Sequence, residues 1–158
     1  MELIDNRPRP VSLPGALARG FITAIASGIF ASFLVVAGMV VADPTELTGS
    51  HPGEVFGGLL AMFLMVSFYA IFVALFVAWL PIAIVGWGLQ RAANRWPPLW
   101  SRAAHALAGA VSGTVLIFLL AFDDRREAFD FYMLGYGAVT GIFAALLFRK
   151  LSLMTAPD

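Results

Sequence analysis

His105 is the only histidine close to an apolar stretch, and its imidazole has the widest chemistry of any side chain in such a position here. It could ligate a haem iron or another metal, or carry a proton. It follows Arg102 by three residues, which places the two on one face of a helix. That spacing favours a plainer reading, an interfacial side chain snorkelling to the polar surface beside Arg102. A bis-histidine haem within one chain needs a second histidine inside the membrane, and His51 falls in a polar loop at the opposite end of the spans. A haem shared between two copies would be the remaining route. The expectation is no cofactor and no metal.

The other reactive groups are sparse. Glu54 and Asp130 stand where spans begin, and a helix N-terminus favours a carboxylate there without any site. A ring of such acids in an oligomer would instead attract cations. Tyr132 and Tyr136, four apart and followed by Thr140, share a helix face. Ser67, Tyr69, Thr23, Ser27, Ser112 and Thr114 add hydroxyls that can bond within a helix or across to a neighbour. Asp123 and Asp124 are adjacent acids in a loop, a solvated pair rather than a metal site. There is no cysteine, so disulfides and thiolate chemistry are excluded. No glycine-rich phosphate loop, HExxH pair or Ser-His-Asp set is present. A net charge of zero gives no basis for nucleic-acid binding.

Around these residues lie four stretches free of charge, residues 20–41, 55–88, 103–122 and 131–148. Crossing a hydrocarbon core of about 30 Å takes about 20 helical residues. The chain has 158 residues and is 60% hydrophobic, and its mean hydropathy is +0.86. It therefore has room for one membrane domain and little else. The pattern predicts an all-α membrane protein with spans at about 17–41, 56–80, 103–122 and 131–148. A cytoplasmic arm (1–15) containing Pro8, Pro10 and Pro14 precedes the transmembrane domain (16–150), and a short cytoplasmic tail (151–158) follows. The first span is too long for a signal-peptide core and reads as a retained anchor. The second stretch has 34 residues, too many for one untilted span and too few for two. Pro81 offers a kink or break, with residues 82–95 as an interfacial extension. Gly49, Pro52 and Gly53 read as turn residues of the first loop. Two short loops then make two antiparallel hairpins, forming a four-helix bundle. Ser27-Gly28 with Phe33-Leu34 recurs as Ser112-Gly113 with Phe118-Leu119, a faint hint of duplication.

Basic residues orient the bundle. Arg7, Arg9, Arg19, Arg91, Arg95, Arg102, Arg149 and Lys150 fall on one side, and only Arg125 and Arg126 on the other. The positive-inside rule then puts both termini in the cytoplasm, in a plasma membrane that the compact loops suggest is a bacterial inner membrane. Trp79, Trp87, Trp96 and Trp100 gather on the same side, as an aromatic belt would.

Small residues supply the packing surfaces. Span one has Ala16, Gly20, Ala24, Gly28 and Ser32 at intervals of four. Span two has Ala70, Ala74 and Ala78, span three Gly109 and Gly113, and span four Gly137, Gly141 and Ala145. Helices in lipid associate through such close approach. These ridges serve either the chain itself or, for span one above all, another membrane protein or a second copy. With uncharged spans and no constellation of reactive groups, the expected function is non-catalytic. An accessory, assembly or anchoring subunit acting through helix contacts fits best. A small oligomeric transporter or pore, without proton coupling through intramembrane carboxylates, is the alternative.

Overall fold

A computed structural model describes residues 12–42, 51–120 and 130–154. Among these residues there are helices and no strands. In chain order they form α1 (Leu13–Ala42), α2 (Pro52–Val73), a wide π-turn (Ala74–Ala78), α3 (Trp79–Arg95), a 3-10 turn (Pro97–Trp100), α4 (Arg102–Leu120) and α5 (Asp130–Met154). Four helices are long and apolar enough to cross a membrane: Leu13–Ala42, Pro52–Arg95, Arg102–Leu119 and Tyr132–Met154. The acidic loop at 123–127, Asp43, Glu46, Gly49, Arg7 and Arg9 lie outside the described residues.

Two prolines expected in irregular chain begin helices instead. Pro14 is the second residue of α1, and Ser12 Oγ accepts the Gly15 amide at 3.3 Å. Pro52 is the first residue of α2, preceded by His51 with φ −60° and ψ 137°. A proline in the first turn costs no hydrogen bond, because those amides have no partner in the helix anyway. The missing donor that suggests a loop is thus equally compatible with a helix start. Glu54 stands in the first turn of α2, where the helix dipole favours it.

The second long helix does not stop at Pro81. Its backbone stays helical to Arg95, and the accommodation is made one turn earlier. Pro81 has no amide to offer Val77, and its ring crowds that carbonyl. The preceding turn opens, so that the Trp79 amide reaches back to the Ala74 carbonyl. Such π-turns absorb a proline without ending a helix. Residues 82–95 therefore continue the same helix. Ala83 and Ala93 are buried, and the side chain of Gln90 donates to Ser152 Oγ on α5.

α1 is the hub, packing on α2, α3 and α5, while α4 packs chiefly on α5. Every small residue of the α1 ridge is buried. A Cβ on Gly20 would lie 2.7 Å from the Ala83 Cβ, and one on Gly28 would lie 2.9 Å from the Ile71 Cα. Higher up, Phe30 stacks on Phe143 with ring centroids 4.3 Å apart. The Trp79 indole donates to the Leu17 carbonyl at 3.0 Å, tying α3 to α1. This tryptophan thus meets its hydrogen-bonding need within the protein rather than in a headgroup layer.

The α4–α5 seam is tighter still. A Cβ on Gly109 would collide with the Gly141 carbonyl, and one on Gly113 with the Gly137 carbonyl. The pairs run in opposite order, so the helices are antiparallel along the seam. Backbone lies directly on backbone, which is what paired glycines permit in a membrane helix.

Candidate functional site

Because α2 makes no substantial contact with α4 or α5, a cleft remains between α2–α3 on one side and α4–α5 on the other. Ser27, Gly28 and Ala31 of α1 help to close it. Its volume is about 690 Å³, and its walls are almost wholly apolar. Along α5 the lining runs from Tyr132 to Phe148, about 24 Å at 1.5 Å per residue. Val77, Pro81, Ala108 and Ser112 are among its walls. The volume falls within the range of roughly 300–1,000 Å³ typical of small-molecule and cofactor sites.

The cleft exists because the two sides differ in how they end. At one end α3 and α5 close on each other: a Cβ on Gly86 would meet the Phe148 ring at 2.5 Å. Four residues further along each helix, Gln90 and Ser152 repeat the contact. Above this closure no substantial contact among the described residues holds α2 to α5.

His105 lies in the wall of this cleft, 1% exposed. Snorkelling beside Arg102 is therefore corrected. Arg102 is exposed at the start of α4 while His105 faces inward. The reason is local. Ser101 caps α4, its Oγ accepting the Ala104 amide at 3.1 Å. The Ser101 carbonyl also bonds His105 Nδ1 at 3.1 Å. Trp100 covers the ring edge-on, centroids 5.5 Å apart. Arg149 secures that tryptophan, its Nε donating to the Trp100 carbonyl at 3.0 Å. Trp100 and Arg149 were legible as a belt and a topological charge, but not as the cover over His105.

A carbonyl only accepts, so Nδ1 carries the proton in this bond, and in the neutral ring Nε2 is left as an acceptor. Nε2 is buried and has no partner. Ser27 Oγ on α1 and Thr140 Oγ1 on α5 are in the same state, and both residues also line the cleft. Thr23 Oγ1 and Ser67 Oγ are also buried without a partner, whereas three serines are satisfied in their own helices. Ser32 donates to the Gly28 carbonyl, Ser112 to the Ala108 carbonyl and Ser152 to the Phe148 carbonyl, each at 2.8 Å. Of the buried unpaired groups, those of His105, Ser27 and Thr140 belong to residues that line the cleft, whereas Thr23, Ser67 and Gln90 lie outside it.

Tyr132 and Tyr136 both border the cleft, Tyr132 fully exposed and Tyr136 half-buried. Tyr69 borders it from α2. Gly28, Gly109, Gly113, Gly137 and Gly141 line its floor, whereas Gly20, Ala24 and Ser32 are occupied in helix packing away from it. Among the described residues, no group of three or more His, Cys, Asp or Glu side chains could hold a metal ion. Comparison with known proteins returns no match to any protein-family model, curated protein or solved structure.

Proposed function

We propose that this chain is a non-catalytic integral membrane protein, accessory to a larger membrane process, whose working surface is the cleft. Its four spans stand as two antiparallel hairpins in a plasma membrane, with both termini on the cytoplasmic side where the arginines gather. The cleft then opens at the depth of the hydrocarbon and covers most of its roughly 30 Å thickness. Its occupant is an apolar molecule drawn from the bilayer.

The lining of the cleft carries this reading. It is almost wholly apolar and runs about 24 Å along α5, which suits a chain-like small molecule. The ridge of α1, the other surface suited to a partner, is covered by α2 and α3 of the same chain. The nearly unbroken apolar walls suit a lipophile better than a water-filled path.

Filling the cleft from opposite walls tests the proposal. Val77→Trp and Ala108→Phe each put a ring into the space. The wild-type protein, extracted in mild detergent and measured by native mass spectrometry, should carry a small-molecule adduct that both variants lose. Thermal unfolding within a few degrees of wild type would show that the variants remain folded. An adduct of equal occupancy in all three proteins would place it elsewhere and sink the idea.

A further inference from the structure

Resting on that reading of the cleft, we infer that its ligand is a neutral long-chain amphiphile with a free hydroxyl, which donates a hydrogen bond to His105 Nε2. The chain part follows from shape, since the lining extends about 24 Å along α5, longer than a compact ring system needs. The hydroxyl follows from the polar atoms. His105 is 1% exposed and Ser27 4% exposed, each with a side-chain atom lacking any partner, and both line the same space. A buried polar atom without a partner is costly, the more so where no water can reach it. An entering group that relieves this gains affinity and orientation together.

The tautomer decides which group that is. With Nδ1 bonded to the Ser101 carbonyl at 3.1 Å, the neutral imidazole presents a lone pair at Nε2. A ketone, ester or ether oxygen can only accept and gains nothing there. A hydroxyl can donate to Nε2. An ionised carboxylate or fully ionised phosphate lacks the donor as well. Arg102 and Arg149 lie near this end of α4 and α5, but Arg149 is already bonded to the Trp100 carbonyl. An imidazole whose Nδ1 bonds a backbone carbonyl is also disposed to ligate a metal, so iron is tested directly.

The full chain in phosphatidylcholine nanodiscs is offered tritiated 1-octadecanol and, separately, tritiated 1-methoxyoctadecane, with binding followed by scintillation proximity. The two probes share a chain and differ in the donor. Wild type should bind the alcohol about tenfold more tightly, the usual consequence of leaving one buried polar group unpaired. His105→Phe should bind both probes at the ether's affinity, and Ala108→Phe should bind neither. Equal binding of the two probes to wild type would overturn the hydroxyl assignment and leave the cleft reading standing. Binding of neither would remove both. A Soret absorbance in the purified protein would put iron on Nε2 and overturn the inference. The decisive comparison is made on wild type, so it does not depend on any variant folding.

Discussion

The seam between α4 and α5 and the gap between α2 and α5 are built from similar residues and end in opposite states. At the seam, Gly109 and Gly113 lie on Gly141 and Gly137 with no room for a methyl group. Across the gap, Ala70, Ala74 and Ala78 line open space. Small residues therefore permit close approach without enforcing it. What differs is the geometry imposed from outside. α2 is held to α1 at Gly28, and α3 is drawn to α5 at Gly86 and Gln90, so α2 reaches the upper bundle already committed elsewhere.

The contrast can be broken most forcefully at the seam. Gly141→Leu should cost well over about 3 kcal/mol, because the added carbons meet backbone that cannot rotate away, and overpacking alone costs about 1–3 kcal/mol. Unfolding in mixed detergent–denaturant micelles would measure it. Loss of less than about 1 kcal/mol would mean that the helices can separate freely. Next comes Gly28→Leu, which meets Ile71 backbone at 2.9 Å and should cost about 1–3 kcal/mol. Leu34→Ile on the same helix should stay within about 1 kcal/mol. Equal stability of those two variants would deny the ridge its role.

Smaller effects sharpen the picture. Trp79→Phe removes the bond to the Leu17 carbonyl and should cost about 0.6 kcal/mol, typical of interhelical hydrogen bonds in a membrane. A cost beyond about 2 kcal/mol would show that the indole also anchors packing. Gly88→Ala stands at the bottom of the scale. A Cβ there meets nothing within 4 Å, so the change should stabilise α3 by up to about 1 kcal/mol through helix propensity. Destabilisation would reveal a contact with another molecule at that face. The tautomer is open to a direct check. Nitrogen NMR of labelled protein should find His105 protonated at Nδ1 with an acceptor-type Nε2, and a proton on Nε2 of the neutral ring would reverse the donor preference expected of the ligand.

The parts legible from sequence are those governed by composition and local spacing. Uncharged runs announced the four spans, and glycines at intervals of four announced the faces that approach other backbones. The inward turn of His105 was not legible, because it depends on Trp100 and on Arg149, 49 residues further along. Helices surrounded by lipid are apolar all round, so periodicity does not tell a face that meets protein from one that meets hydrocarbon. The pairing of Gly86 with Phe148 and of Gln90 with Ser152 leaves no local trace for the same reason. The cleft is a product of that long-range arrangement, although Ser27, Tyr69, Tyr136 and Thr140 could be singled out individually.

The widened turn before Pro81 has a rotational consequence. Ile71 and Ala83 both meet α1, and twelve residues of regular helix would carry them to bearings about 120° apart, at about 100° per residue. One residue taken up without advancing the spiral reduces that offset to about 20°. The proline thus acts as a phase corrector: it lets one uninterrupted rod present the same meridian to α1 on both sides of the irregularity. Restoring a regular spiral without deleting a residue would turn Ala83 away from Gly20, and the lower half of the rod would face outward.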